Sequence, residues 1–185
     1  MDTVLTARLI LRPLTEADAS AYAEIRYHPE VARWLPTSQQ GDPLDHARRT
    51  VAYFAQCWAD DGHGPWGLFL KNGDEEGRLI GHGGLRAIPE FDGQTELLYA
   101  LHPEAWGKGY ATELGDVALR YGFERRGLPS IFAITKPDNH ASQAVMKRLG
   151  MTYRRRVTYK DIEAVWFEIE RGTVRPEGGS PALDE

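Results

Sequence analysis

Two glycines, Gly107 and Gly109, lie in the stretch His102–Thr112 between a predicted strand and a predicted helix. Glycine carries no side chain, so the backbone N–H groups of such a loop can point outward toward a ligand. The N-terminus of the following helix adds the positive end of its dipole. Together these features predict an anion site suited to a pyrophosphate. Glycine spacings also recur by chance, so a plain turn without a ligand stays open as the alternative.

One acidic residue, Glu96, interrupts the otherwise apolar run Thr95–Leu101. Acidic side chains are rarely buried unless they are paired, so Glu96 either faces solvent, forms a salt bridge or belongs to a polar site. Where it is desolvated, the pKa of its carboxyl would rise, and it would be a better general base. The rival base is His82, whose glycine neighbours leave room for a substrate. More often, a histidine in such a position has a structural role.

Length and composition describe an ordinary globular protein. The chain has 185 residues, of which 42% are apolar and 26% charged, and its net charge is −5. This length fits a single domain, which we place at residues 1–171, with a disordered tail at 172–185. The acidic balance argues against a general nucleic-acid binder, and no apolar run is long enough to span a membrane. We therefore expect neither nucleic acid nor membrane as a partner.

Cys57 is the only cysteine in the sequence. A single cysteine excludes an intramolecular disulfide and any zinc site built from several cysteines, and no two histidines have the spacing of a zinc site. We therefore expect no metal. The N-terminus lacks the charged and then apolar layout of a signal peptide, so we expect a cytoplasmic protein.

Hydrophobic periodicity and turn signals predict an alternation of strands and helices. In the second half of the chain the order strand, helix, strand implies crossover connections in a mixed sheet covered by helices. The predicted fold class is therefore α/β (α+β). The predicted strands are residues 7–13, 66–70, 79–85, 95–101, 131–135, 151–157 and 164–169. The predicted helices are residues 15–27, a segment from Pro43 to the loop that starts at Asp61, and residues 111–124 and 140–149.

The glycine loop resembles the acyl-CoA pyrophosphate loop of the GNAT N-acetyltransferase superfamily, whose pattern is Gln/Arg-x-x-Gly-x-Gly/Ala. Trp106–Ala111 matches that pattern except at its first position. The sequence of this loop, together with that of Ala7–Leu14, is similar to the RimJ/RimL branch. That branch acetylates protein N-termini and includes relatives that act on other amines. Asn139–Ser142, followed by Leu149–Met151, resembles the family's Asn-x-x-Ser and Leu-Gly-Phe motifs. The resemblance extends over about residues 7–170 in the family's order.

The resemblance implies a GNAT-like fold: a mixed, mostly antiparallel sheet of about seven strands, splayed between strands 4 and 5 and flanked by about four helices. It also implies that acetyl-CoA is the cosubstrate, with its pantetheine arm in the gap between the splayed strands. Amide groups of that arm can satisfy backbone groups that the parting strands leave without partners. The residues expected to bind the cosubstrate are Tyr99, Ala100, Leu101, Trp106, Gly107, Lys108, Gly109, Tyr110, Ala111, Thr112, Asn139 and Ser142.

By the same resemblance, the reaction is transfer of an acetyl group to a primary amine by direct attack in a ternary complex. Glu96 would accept the proton of the amine, directly or through a water. Ser142 would donate a hydrogen bond to the departing sulfur. Many members of the superfamily use a tyrosine at the position of Met146, so this chain lacks the conventional general acid. A relay through Cys57 is disfavoured, because nothing near it in sequence activates a thiol.

The alternative function is a catalytically silent module that binds acyl-CoA without transferring the acyl group. For the enzyme, we expect the acceptor to be a protein N-terminus or a small-molecule amine, and the protein to be a monomer or a homodimer. Acceptor pockets in this fold come from the early helices and the last hairpin, and the segment Trp34–Pro36 could line such a pocket. No motif in those segments identifies the amine.

Overall fold

Within the residues that the computed structural model describes, 3–35, 41–73 and 75–172, eight strands form one sheet with helices on both faces. The strands are β1 (Val4–Leu5), β2 (Leu9–Arg12), β3 (Pro65–Asn72), β4 (Glu75–Ile88), β5 (Gln94–Leu101), β6 (Ser130–Thr135), β7 (Thr152–Tyr159) and β8 (Ile162–Glu170). The helices are α1 (Ala19–Arg26), α2 (Pro29–Ala32), α3 (Pro43–Asp61), α4 (Tyr110–Arg120, followed by a π-helical turn at Tyr121–Arg125) and α5 (His140–Arg148). Across the sheet the order is β1-β2-β3-β4-β5-β6-β8-β7.

Apolar residues that alternate along the strands divide the core between the two faces of the sheet. In β2, Leu9 and Leu11 pack into a cluster with Leu114 of α4, whereas Ile10 packs with Phe54 of α3. Helices α4 and α5 therefore cover one face, called the α4 face below, and α1 and α3 cover the other, called the α3 face. Because successive side chains of a strand point to opposite faces, this alternation assigns a face to the residues of the neighbouring strands.

Strands β5 and β6 are the only parallel neighbours in the described sheet, and they separate along their length. Their one paired position joins Glu96 to Phe132. Beyond it, Leu97–Leu101 and Ala133–Thr135 diverge and leave a gap, called the fork below. The predicted splay between strands 4 and 5 is confirmed. Those two strands are β5 and β6 here, because the structure has one further strand, β1, at the start of the chain. Backbone groups that would complete a parallel ladder are available inside the fork.

The glycines of β4 allow close packing beside the fork. A Cβ at Gly83 would collide with Leu114 of α4, so only glycine lets the helix approach the sheet this closely. The pairing of β3 with β4 also shifts its register between Leu68 and Lys71. This irregularity is the bulge that glycines in a strand favour.

Some element boundaries differ from the sequence prediction. Neither β1 nor α2 is indicated by the sequence pattern, because elements of 2 and 4 residues are too short to show a period. The predicted helix at 15–27 begins as a 3₁₀ turn at Glu16–Asp18. The strand predicted at residues 79–85 is longer in the structure, where β4 covers Glu75–Ile88. The part of the predicted tail that follows residue 172 lies outside the described residues.

Candidate active site

A cavity of about 1150 Å³ occupies the fork and extends to both faces of the sheet. On the α4 face it is lined by the glycine loop, by the first turns of α4 and by α5. On the α3 face it is lined by the end of α2, by His82 and Arg86 of β4, and by the β7–β8 hairpin. Glu96 lies at the narrow end, where β5 and β6 still pair. A ligand that threads the fork would therefore touch groups from both faces.

The glycine loop presents a row of free backbone donors. Gly107 and Gly109 have φ angles of +71° and +83°, in the left-handed region that favours glycine. In the described residues, the N–H groups of residues 107–111 donate to no protein acceptor, whereas those of Thr112 and Glu113 bond the Gly109 carbonyl. A Cβ at Gly107 would meet no atom within 4 Å, so the space above the loop is open. Free donors at a helix N-terminus give this loop the geometry of an anion site.

The guanidinium of Arg8, which lies between β1 and β2, holds this loop in place. Its Nη1 donates to the Lys108 carbonyl at 2.8 Å, its Nη2 lies 2.6 Å from the Glu113 carboxylate, and its Cζ lies 4.7 Å from the Tyr110 ring centroid. Arg8 lines the cavity, but the Glu113 carboxylate balances its charge, so its part at this site is to hold the loop. Sequence reasoning missed this role, because two residues 100 positions apart show no contact pattern in a single chain.

The side chains of Trp106 and Lys108 play different parts in the loop. The Trp106 indole N–H donates to the Leu101 carbonyl at 2.8 Å and ties the loop to the end of β5. This bond occupies a β5 carbonyl that the sequence analysis assigned to the cosubstrate. Lys108 is exposed and does not line the cavity, and its carbonyl accepts the Arg8 bond. The donors that face the cavity here are therefore backbone N–H groups, and the Lys108 side chain lies outside the cavity lining.

Ser142 lies in the first turn of α5 and meets a phenol from β5. Asn139 caps this helix, with its Oδ1 accepting the Ser142 N–H at 3.2 Å. The Tyr99 hydroxyl lies 2.9 Å from the Ser142 hydroxyl and 3.2 Å from the Ser142 carbonyl. Burial raises the pKa of Tyr99 to about 12, so the phenol stays protonated at neutral pH. Met146 is buried in the core, and Tyr99 brings a phenol to Ser142 from the facing strand instead.

The phenol of Tyr99 is a group that the sequence analysis missed, since it assigned only the Tyr99 backbone to the site. The signal for it was the alternation of β5. Tyr99 is three positions from Glu96, so the two side chains point to opposite faces of the sheet.

Glu96 is buried on the α3 face, with 4% of its surface exposed, and is paired with Arg86 of β4. Nε of Arg86 donates a hydrogen bond to the carboxylate oxygen Oε2 at 2.8 Å, and Nη2 lies 2.7 Å from the same oxygen. No described residue donates to Oε1. Burial raises the pKa of Glu96, while the neighbouring positive charge of Arg86 opposes that rise. The salt bridge and the buried polar site that the sequence left as alternatives occur together in this one side chain.

His82, the rival base, is buried on the α3 face among aromatic rings. Its ring centroid lies 5.3 Å from that of Tyr22 and 5.1 Å from that of Phe54. Its Nδ1 has no hydrogen-bond partner among the described residues. Burial, with the charges of Arg26 and Arg86, lowers the pKa of His82 to about 3. A histidine with this pKa is neutral at pH 7 and is a weak base.

The cavity lining on the α3 face is mostly apolar. Trp34 and Leu35 line it, as the sequence analysis expected, whereas Pro36 lies outside the described residues. Other apolar residues that line this half are Val31, Leu98, Ile134, Tyr159, Ile162 and Ala164. The charged residues that line it are Arg33, Arg86, Glu96 and Lys136. An apolar pocket with a few placed polar groups is typical of a site for a small organic group.

The described part of the chain lacks the features of two other classes of site. It contains no group of three or more His, Cys, Asp and Glu side chains that could hold a metal ion. None of its helices is long and apolar enough to cross a membrane. Cys57 is buried, and burial raises the pKa of its thiol, which makes it a poor nucleophile.

Comparison with known proteins identifies the family. The family model of the acetyltransferase (GNAT) domain matches residues 8–152. YoaA, an uncharacterized N-acetyltransferase of Bacillus subtilis, is 30% identical over 145 residues, which cover 78% of this chain and 80% of that protein. The chain belongs to the GNAT family of acetyltransferases, and the resemblance seen in its motifs is confirmed.

Solved acetyltransferase structures share the fold. The acetyltransferase from Agrobacterium tumefaciens is 28% identical, with a TM-score of 0.79 over 92% of this chain and 95% of that one. RimL, a ribosomal L7/L12 alpha-N-protein acetyltransferase solved in complex with coenzyme A, is 16% identical, with a TM-score of 0.77 over 92% and 98%. At that identity the likeness to RimL shows the fold alone. The predicted fold class and the prediction of an N-acetyltransferase are confirmed at the level of the family.

Proposed function

We propose that this protein is a cytoplasmic acetyl-CoA-dependent N-acetyltransferase that acetylates a primary amine by direct attack in a ternary complex. The acceptor is a peptide N-terminus or a small-molecule amine. The observation that carries the proposal is the fork, which joins a loop of free N–H donors on the α4 face to the buried carboxylate of Glu96 on the α3 face. Holding two reactants in one oriented site can by itself lower a barrier by about 7–11 kcal/mol.

The α4 face fits the coenzyme A part of acetyl-CoA. The N–H groups of residues 107–111 would bind the pyrophosphate, on a loop that the guanidinium of Arg8 holds in place. The backbone of Tyr99 and Ala100 lines the fork, where it can pair with the amides of the pantetheine arm. A backbone N–H in this strand can also polarise the thioester carbonyl as negative charge develops on its oxygen.

Glu96 is proposed to accept the proton that the amine loses as its nitrogen attacks the acetyl carbon. Burial raises the pKa of Glu96 and so strengthens it as a base, while Arg86 favours the ionised form and fixes its position. Because the hydrogen bond and the ion-pair contact from Arg86 both fall on Oε2, Oε1 is the oxygen left to take the proton, directly or through a water. We assign no proton transfer to His82, since its lowered pKa makes it a poor acceptor at neutral pH.

Ser142 and Tyr99 are proposed to serve the sulfur, which leaves with the bonding electrons as the C–S bond breaks. The phenol has one proton, and it faces both the hydroxyl and the carbonyl of Ser142. When the phenol donates its hydrogen bond to the Ser142 hydroxyl, the proton of that hydroxyl is free to point at the sulfur. Tyr99 then acts as a positioning residue, through Ser142.

One observation favours the second candidate, a silent acyl-CoA-binding module. Glu96 is held by Arg86, and a carboxylate that remains fully committed to an arginine takes no proton. Such a module would bind acetyl-CoA with normal affinity and release no coenzyme A when amines are added.

A mass-spectrometric screen tests the two candidates together. The protein is incubated with acetyl-CoA and with peptides, amino acids, polyamines or aminoglycosides, and both acetylated product and free coenzyme A are measured. The enzyme predicts coenzyme A release that depends on one class of amine and matches the acetylated product. Acetyl-CoA binding with no product from any class would support the silent module.

A further inference from the structure

A short segment of the chain crosses the wide end of the fork on the α3 face. This segment, residues 28–35, is called the strap below. Near one end the His28 ring meets the ring of His102, which follows β5, with centroids 5.1 Å apart. Near the other end the Arg33 carbonyl accepts a hydrogen bond from Nζ of Lys136, which follows β6, at 2.5 Å. The strap therefore crosses the mouth of the acceptor half of the cavity and brings the Lys136 ammonium against the backbone of Arg33, whose guanidinium lies over the Trp34 ring.

These two side chains are positive and lack an acidic partner. Both line the cavity, and in the described residues no carboxylate oxygen lies within 4.0 Å of either charged group. The other cation of this half, Arg86, is already neutralised by Glu96. The next residues of the chain, 36–40, contain no charged side chain in the sequence. Two positive charges at the mouth are therefore left for a ligand to balance.

Nearby acids do not change this balance. Asp138 is close to Lys136 in sequence and lines the cavity, yet it forms no ion pair with it in the described structure. Glu113 and Asp116 lie on α4, on the other face of the sheet, and Glu113 is paired with Arg8. The Lys136 ammonium has three donors and uses one of them on the strap carbonyl, so two remain for an anion.

The register of the fork sets the backbone separation between Lys136, at this mouth, and the residue that pairs with the proposed base. Glu96 of β5 pairs with Phe132 of β6, and Lys136 follows Phe132 by four residues, directly after the end of β6. Four residues of extended chain span about 13 Å. In an α-amino acid, the carboxylate and the amine share one carbon, so such a molecule is too short to place its amine at Glu96 and its carboxylate at the mouth. An anionic group several bonds away can reach the mouth while the amine lies at Glu96.

We propose that the acceptor is an amine with a carboxylate several bonds away from it, and that Arg33 and Lys136 bind this carboxylate. Two sources have this chemistry: a short peptide with an acidic residue near its free N-terminus, and an ω-amino carboxylate. Acceptors with several positive charges, such as polyamines, are disfavoured by the same two side chains. The inference rests on the proposed function and names the substrate class of that site.

Matched acceptors test the proposal with the intact protein. One arm compares peptides that differ only by glutamate, glutamine or lysine at the third position, and the other compares an ω-amino carboxylate with the corresponding alkylamine. We expect kcat/KM to favour the carboxylate member about tenfold in at least one arm, as loss of one charge-assisted hydrogen bond would give. The arm that shows the preference identifies the source.

Variants then assign the preference to residues. Lys136→Gln and Arg33→Gln should each remove most of it, and acetyl-CoA affinity should stay unchanged, which also shows that the variants are folded. Lys147→Gln is the matched control, because Lys147 is exposed on α5 and does not line the cavity. It should keep the full preference.

Acetylation with equal rates for carboxylate and neutral acceptors, or a preference for lysine peptides or polyamines, would overturn this inference alone. A preference that survives both variants would also overturn it, as would a Lys136→Gln variant that loses acetyl-CoA affinity instead. If acetyl-CoA binds but no amine of any kind is acetylated, the proposed function fails, and this inference fails with it.

Discussion

The two faces of the fork are built from different parts of the polypeptide. On the α4 face, the groups proposed to bind the pyrophosphate and the pantetheine arm belong to the backbone: consecutive N–H groups at residues 107–111, glycines with positive φ, and a strand edge. The α3 face uses side chains that meet across the sheet: the Arg86–Glu96 pair, the buried His82 and the strap. Backbone chemistry suits a constant cosubstrate, whereas side chains can change with the acceptor. The difference predicts that binding of acetyl-CoA and transfer to the amine can be impaired separately.

The largest expected effect comes from the loop on the α4 face. Gly109→Glu should abolish measurable binding of acetyl-CoA, because it puts a side chain and a negative charge at the anion site and strains a residue with φ of +83°. Calorimetry measures the affinity. Gly93→Glu is the matched control, since Gly93 also has positive φ with open space around it but lies outside the cavity lining. Strain at either position costs about 1–2 kcal/mol, and only the first variant should lose affinity. Normal affinity in folded Gly109→Glu would refute the loop assignment.

The next effect belongs to the α3 face. Glu96→Gln should lower turnover by about 10²–10⁴-fold, the usual contribution of a general base, with acetyl-CoA affinity nearly unchanged. The defect should shrink at high pH, where more of the amine is already neutral. His82→Asn, the comparison variant, should have little effect.

The Glu96 variant leaves the Arg86 cation buried without a partner, which can cost about 3–5 kcal/mol of stability. The double variant Glu96→Gln/Arg86→Met removes that cation and keeps the test valid if the single variant does not fold. Full activity in either folded variant, together with a crippled His82→Asn, would move the base to His82.

A smaller effect is expected for the hydroxyl pair. Ser142→Ala and Tyr99→Phe should each lower kcat up to about tenfold, which is the value of one neutral hydrogen bond, without changing acetyl-CoA affinity more than a few-fold. If Tyr99 acts through Ser142, the double variant is no slower than Ser142→Ala alone. Independent losses that multiply in the double variant would show that the phenol does not act through the serine.

The smallest effect on activity, but a measurable one on stability, concerns His82. Its folded pKa of about 3 lies below the ordinary value of 6.5, so between these pH values the unfolded chain binds a proton that the folded chain does not. Above pH 6.5, His82 therefore does not change the free energy of unfolding. Below pH 6.5 it lowers that free energy as the pH falls, by up to about 1.4 kcal/mol per pH unit. Urea unfolding of His82→Gln should show a shallower acid dependence than the parent chain. Equal slopes would mean that His82 is not buried as a neutral imidazole.

The same division explains how much the sequence could predict. The loop at residues 102–112 is a local pattern, because its glycines and the helix that follows lie within a few residues of one another. The cap at Asn139 is a separate local pattern at the start of α5. The fork was predicted through the family resemblance, because a single chain carries no signal for which strands part. Helix and strand positions followed from periodicity, except where an element was as short as β1 or α2.

The rest depends on pairing between distant segments. Arg86 was missed because the predicted strand ends at Leu85, and only the full β4 puts Arg86 opposite Glu96 in register. Arg8 meets the glycine loop from the other end of the chain. Burial of His82 depends on α1 and α3 packing over β4, which no local pattern shows.

Direct transfer across the fork is the central claim, and the protein incubated with acetyl-CoA in the absence of amine tests it most directly. Intact-mass measurement should show no acetyl group on the chain, and free coenzyme A should form only after an amine is added. The buried Cys57, whose thiol pKa is raised, gives no reason to expect an acetyl-enzyme. An acetylated chain that passes its acetyl group to the amine after acetyl-CoA has been removed would contradict the account.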